Sequence, residues 1–442
     1  MRGEAGEPQL VRAIGFWGLI AMCINAVVGS GVFLLPSESF ELLGRFALWA
    51  PLLFALPVFV LVLCFAEAAS SFTQPGGAYL YACTAFGDAV GFGTGWMNWL
   101  ARITSLAALA NGFVVSLARL WPTAGETVTR AVLIVGSLGA LAAIHAVGVR
   151  YGAATIYALT IGKLLPLLLF IVVALALMPH DPFTGSLTLP GPGTKWNEAA
   201  LLLLFAYAGF ENLGVPAGEY RNPRRDLPLA LLFGVLGIAV VYVLAQLAAT
   251  AALPDLGGTD TPIADAAAAL MGPWGALLVT LGAVVSILGT NSGTMLEGSR
   301  MLYALAVGRR PYRALTYVHP RFHTPLAAIA LHVAVAIPIA LAGSFAKLAV
   351  LSAMARMTTY LVTCAAVPRL RRLGTPRFRT PGLVVPILGM LISLALFFTL
   401  SWKHLLAALA ALAVGGLLWG LARLFPSEEQ TLAEEARQAP AD

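Results

Sequence analysis

Apolar runs of about 20 residues, enough to cross a hydrocarbon core ~30 Å thick, recur along the whole chain and predict a set of spanning α-helices. Twelve are read, near 12–35, 46–69, 88–118, 125–147, 151–178, 196–219, 228–252, 273–306, 325–342, 346–367, 383–401 and 403–424. The first run is interrupted halfway by Val27-Val28-Gly29-Ser30-Gly31-Val32-Phe33. Glycine is the poorest helix former after proline, and two within three residues invite the helix to open. In hydrocarbon an opened backbone survives only where protein, water or a ligand supplies its hydrogen-bond partners. The stretch therefore reads as a binding site built from main chain; a helix-packing face of small residues is the alternative.

The sixth run carries a second break, Phe205-Ala206-Tyr207-Ala208-Gly209-Phe210-Glu211-Asn212, with Gly214 and Pro216 following and a carboxylate in the gap. The two interrupted runs are five apart. Breaks at corresponding places in two halves point to inverted repeats with a site near mid-membrane. The chain then divides into a segment 1–11, a first repeat 12–178, a second repeat 196–367, two appended spans 383–424 and a tail 425–442.

Composition agrees: 59% of residues are hydrophobic, 11% are charged and mean hydropathy is +0.85, which excludes a soluble globular domain. The net charge of +6 does not indicate nucleic acid, because the arginines sit in short loops between apolar runs. With the N-terminus cytoplasmic, seventeen Lys and Arg fall on that side and six on the other, which places both termini in the cytoplasm of a multi-pass cell-membrane protein. Met1–Gln9 is short and polar with no small-residue cleavage site after the first run, so that run is read as a retained span. The four cysteines show no metal spacing, and no cofactor or metal site is expected.

Three stretches resemble the amino acid–polyamine–organocation transporter superfamily. Gly29-Ser30-Gly31-Val32-Phe33 is similar to the small-residue motif of its first helix, and Gln74-Pro75-Gly76-Gly77-Ala78-Tyr79 to its loop before the third. Glu219-Tyr220-Arg221-Asn222-Pro223-Arg224-Arg225-Asp226-Leu227-Pro228 is similar to its loop after the sixth. A weaker match is Glu297-Gly298-Ser299-Arg300-Met301-Leu302-Tyr303-Ala304, followed by His319-Pro320-Arg321 and Thr324-Pro325. The resemblance implies an all-α integral membrane protein with twelve transmembrane helices in a leucine-transporter-like 5+5 inverted repeat, helices 1 and 6 broken. It implies a secondary transporter of amino acids that works by alternating access, spans 1, 2, 6 and 7 rocking against spans 3, 4, 8 and 9. The N–H groups of Ser30 and Gly31, with the Ser30 hydroxyl, would hold the substrate carboxylate. Carbonyls of Val27, Phe205 and Ala208, beside Gly209, would hold the amine, and Phe205 would close over the substrate. The chemistry fits independently: half-helix N-termini suit a carboxylate and unwound carbonyls suit an ammonium.

Several intramembrane polar residues need a reason. Lys163 lies mid-run in the fifth span, too deep to snorkel, and a buried ammonium is costly unless paired. By resemblance to sodium-independent relatives it replaces a coupling sodium as a built-in, proton-titrating cation against the first-helix break; purely structural pairing with carbonyls is the alternative. Glu211, inside the second break, either carries a proton or is a structural clip. It resembles in position a glutamate linked to acid sensing in the arginine/agmatine exchangers. Arg102 departs from the family, at a third-span position that is usually small. It either receives an acidic side chain or pairs with Glu211. Together with Ala26 in place of the exchangers' asparagine, it argues against cationic substrates. Glu67 and Glu219 read as loop anchors through ion pairs, and Arg300 pairs with Glu297 at i,i+3. Arg356 has no evident local partner. Asn291 and Ser286 read as helix-packing hydrogen-bonders.

A membrane enzyme would need clustered His, Asp or Cys, and a channel a pore loop or charge rings; the chain displays neither. A polyamine or amine exchanger and a non-transporting amino acid sensor remain as alternatives. The expected partners are an amino acid substrate and the bilayer, with no nucleic acid; a coupled proton, symport against exchange, and a homodimer stay open.

Overall fold

The computed structural model describes residues 14–74, 76–147, 153–217, 220–322, 324–374, 376–398 and 402–425. The segment before Ile14, Pro75, Arg150, Glu219, His323 and the tail from Pro426 lie outside these residues. Among the described residues the regular elements are helical, apart from one isolated bridge between Ile14 and Tyr220. The α-helices are α1 (Phe16–Val27), α2 (Gly31–Leu43), α3 (Ala50–Ala69), α4 (Gly77–Phe86), α5 (Asp88–Ala118), α6 (Thr127–Val147) and α7 (Ala153–Leu177). They continue as α8 (Trp196–Tyr207), α9 (Pro223–Ala252), α10 (Pro262–Ala306), α11 (Leu326–Ala342), α12 (Phe345–Arg372), α13 (Val384–Phe398) and α14 (Trp402–Arg423). Proline at the first position of α9 and α10 sets φ for the helix and removes an N–H that would have no intrahelical partner.

Eight described helices are long and apolar enough to cross a membrane, and a ninth span results if α1 and α2, bent by 43°, count as one. The sequence predicts twelve. The shortfall lies in α11 and α13, which are apolar but only 17 and 15 residues long, and in the sixth run. That run is interrupted inside the stretch 205–212 read as its break: α8 stops at Tyr207 and a 3-10 turn, Phe210–Asn212, follows. Gly272, at φ 66°, kinks α10, so the expected eighth span at 273–306 begins just past the kink.

α5 is the central helix, packed against α10, α11, α12 and α14. α1 and α2 lie against α9 and α8 respectively, which sets the two breaks side by side. Val28 leaves the helix at ψ 91° and Ala208 at ψ 153°, and Gly209 then turns back with φ 127°. At Gly209 a side chain is excluded twice over. The φ is one that L-residues rarely adopt, and a Cβ would lie 2.5 Å from the Ala26 carbonyl oxygen. A Cβ on Gly31 would lie 3.0 Å from Ala206, so these chains touch main chain to main chain. The Tyr242 hydroxyl bridges them, 2.9 Å from the Ala206 carbonyl and 3.2 Å from that of Val27.

Ion pairs fix the periphery. Glu67, at the end of α3, accepts hydrogen bonds from Arg371 Nη2 (2.8 Å) and from the Thr380 backbone N–H (2.9 Å) and hydroxyl (2.7 Å), the loop-anchoring role read from the sequence. Arg130 donates to the carbonyls of Gly343 (2.7 Å) and Ala340 (3.2 Å), closing the C-terminal end of α11.

Gly209→Ala forces a positive φ on an L-residue and drives a methyl group into the Ala26 carbonyl, at a cost of about 1–3 kcal/mol before any clash is counted. Its melting temperature in detergent is expected to fall by several degrees. Gly237→Ala, at a helical position with open space around it, serves as control and is expected to melt no lower than the parent.

Candidate functional site

Where the breaks meet lies a cavity of about 30 Å³, room for a few waters. The first break contributes Ala26, Val27, Gly29, Ser30 and Gly31, and the second contributes Phe205, Ala206, Ala208 and Gly209. The opposite wall is side chains: Arg102, Ser105 and Leu109 from α5, Thr290 and Thr294 from α10, and Arg356 from α12. Val27, Ser30, Gly31, Phe205, Ala208, Gly209 and Arg102, chosen from the sequence, all line this one cavity. Ser105, Thr290, Thr294 and Arg356 were missed.

The N-terminus of α2 opens at Ser30 and Gly31, where the first N–H groups have no preceding turn to bond. The Ser30 hydroxyl is fully buried with no hydrogen-bond partner. The carbonyls of the first break, by contrast, are occupied. Lys163 donates from Nζ to the Val28 carbonyl (2.7 Å), the Asn25 carbonyl (3.1 Å) and Thr290 Oγ1 (3.1 Å). The Ser286 hydroxyl is 3.1 Å from the carbonyl oxygens of both Val28 and Gly29. Ser286 thus serves the break itself rather than general helix packing. Asn291 is fully buried with neither end of its amide hydrogen-bonded.

The second break centres on Glu211. Its Oε1 pairs with both Arg102 Nη2 and Arg356 Nη1, and accepts from Asn212 Nδ2 at 3.2 Å. Its Oε2 accepts from the Gly209 N–H at 2.8 Å and the Tyr360 hydroxyl at 3.3 Å. Arg102 Nη1 also donates to Glu297 Oε2 at 2.9 Å, and Arg356 Nε to the Ser352 hydroxyl at 3.2 Å. Ser105 and Ser352 share a further bond of 2.8 Å. Two guanidiniums and two carboxylates make a cluster of zero net charge, the arrangement a buried ion group requires.

Two sequence expectations change here. Arg356, without an evident partner in its own helix, finds Glu211 across the fold. Glu297, expected to pair with Arg300 one turn along, pairs with Arg102, while Arg300 donates to the Ser299 hydroxyl at 3.2 Å. Helix packing of α5 on α10 delivers a guanidinium that local spacing could not announce. Arg102 lines the cavity and pairs with Glu211 at the same time, the second of the two roles read for it. Among the described residues no three His, Cys, Asp or Glu gather as metal ligands.

Comparison with known proteins supplies the family. The serine/threonine exchanger SteT of Bacillus subtilis is 29% identical over 403 residues, covering 89% of this chain and 91% of that protein. The branched-chain amino acid permease BcaP of the same organism is 28% identical, covering 94% of each. An uncharacterized transporter of Mycobacterium tuberculosis is 27% identical over 421 residues, covering 94% of this chain and 92% of the relative. The amino acid permease family matches residues 14–418, nearly the whole chain. The cavity between two broken helices therefore belongs to a multi-pass membrane protein, and the chain is a member of the amino acid permease family, within the amino acid–polyamine–organocation superfamily.

Proposed function

We propose that this protein is a secondary transporter of small neutral L-amino acids, sodium-independent, working by alternating access around the cavity between the two breaks. The observation that carries the reading is the pairing of an unpartnered, buried Ser30 hydroxyl at the start of α2 with a wall of main chain too tight for side chains. The N–H groups of Ser30 and Gly31 take the substrate carboxylate, helped by the positive end of the α2 dipole. Carbonyls of Val27, Phe205 and Ala208 take the ammonium; each has two lone pairs, so the bonds that Val27 and Phe205 already accept leave one free. Phe205, edge-on to Phe345 with ring centroids 6.0 Å apart, closes over the ligand.

The small cavity favours small substrates, and Ser105, Thr290 and Thr294 give its side-chain wall a polar lining. Both arginines on the wall are already neutralised by carboxylates, which argues against an acidic substrate. Their presence argues equally against a polyamine. Lys163 stands where a sodium ion would otherwise hold the break carbonyls, and Glu211 acts as the clip of the second break rather than as a proton carrier. The spans form two inverted five-helix repeats, 12–178 and 196–367, followed by 383–424, with both termini cytoplasmic.

Gly31→Val places a branched side chain against Ala206 and is expected to abolish ligand-dependent thermal stabilisation and uptake, as is Ser30→Leu, with the protein still monodisperse in detergent. Unchanged serine or threonine uptake in either variant would remove the site. Uptake into proteoliposomes is expected to be the same in sodium and in choline buffers; loss in choline would remove the role given to Lys163. A parent protein that is stabilised by an amino acid yet transports none would be a sensor.

A further inference from the structure

The four-charge cluster is unevenly sealed. Arg102, Glu211 and Arg356 leave 4% or less of their side-chain surface open, whereas Glu297 leaves 23%. Glu211 is held by five donors on two oxygens. Among the described contacts Glu297 is held by Arg102 through Oε2 alone, so lone pairs remain to take a proton. Its place on α10 is also informative. Thr290 and Thr294 line the cavity, and positions 290, 294 and 297 follow one another on a single helical face. Glu297 thus lies one turn beyond the cavity, toward the end of α10 at Ala306. Arg102 spans the gap, lining the cavity while holding Glu297.

We propose that Glu297 is the proton-binding residue of this carrier, exchanging its proton with water on the Ala306 side of the cavity. The proposal rests on the transporter reading above. A proton that adds to the free carboxylate oxygen converts Glu297 to a neutral acid, and the cluster passes from zero to one positive charge. Arg102 Nη1 then loses an anionic acceptor while still facing the cavity; Glu211 alone no longer balances the two guanidiniums, and a substrate carboxylate bound at the α2 N-terminus supplies the missing negative charge. Proton and substrate therefore favour each other's binding, and the coupling is reciprocal. The charged and titratable groups around Glu297 are Arg102 from α5, Glu211 and Arg356 behind it, and Arg300 one turn along α10. His332 of α11 lies against Gly298, its Nδ1 accepting from Trp99 Nε1 at 3.1 Å.

The test is binding of each of the twenty amino acids to the purified full-length protein between pH 5 and pH 8, by calorimetry, in the parent, Glu297→Gln and Glu297→Asp. The dissociation constant of the best-bound amino acid is expected to fall on acidification, by at most about tenfold per pH unit, the slope of one linked proton. In Glu297→Gln the pH dependence is expected to vanish with affinity fixed near the parent's acid value, whereas Glu297→Asp keeps a dependence with a shifted midpoint. A parent-like slope in Glu297→Gln would overturn the proposal, as would parent binding that ignores pH. Should Glu297→Gln not fold, a midpoint in Glu297→Asp identical to the parent's would do the same. If no amino acid binds the parent at any pH, the transporter reading fails, and this assignment with it.

Discussion

Main chain that leaves its helix inside an apolar slab must be given new partners, and the interior of this protein follows from meeting that need twice. At the first break the orphaned carbonyls of Asn25, Val28 and Gly29 are met by Lys163, Thr290 and Ser286. At the second the Gly209 N–H is met by a carboxylate. That choice has consequences, because a buried anion demands cations and those demand further acceptors. Glu211 is matched by Arg102 and Arg356, and these in turn by Glu297 and Ser352. Among the groups the network leaves unanswered is the Ser30 hydroxyl, beside the opening N–H groups of α2, and on the proposed reading these form the surface offered to a ligand.

On the proposed reading the two walls divide the labour of recognition. The broken helices present peptide groups, which read the carboxylate and ammonium that all α-amino acids share. α5, α10 and α12 present side chains, which read what distinguishes one amino acid from another. A wall made of backbone is hard to alter by substitution, whereas Leu109 and Thr294, which hold neither break, can change without reopening a helix.

Much of this was legible in the sequence because it is written locally. Gly29, Ser30 and Gly31 announce their break by composition alone, and Gly209 with Pro216 does so for the other. Lys163 and Arg102 stand out as charges in apolar runs. The rest depends on partners far along the chain. Arg356 is 145 residues from the carboxylate that neutralises it. Glu297 was given the wrong partner because Arg300 is one turn away, whereas Arg102, 195 residues distant, is brought closer by packing. Thr290 and Thr294 look like ordinary packing residues until α5 is set beside them. In the sixth span Gly209, Gly214 and Pro216 mark the break but not the residue where the helix stops, Tyr207.

The Tyr242 hydroxyl, shared between the Ala206 and Val27 carbonyls, adds a constraint on how such a chain can diversify. With Gly209 seated on Ala26 and Gly31 on Ala206, the four positions interlock, so enlargement of one demands relief at another. On the proposed reading, a new selectivity is reached by single substitutions at facing-wall positions that hold neither break, such as Leu109 and Thr294, rather than by redesign of the broken helices.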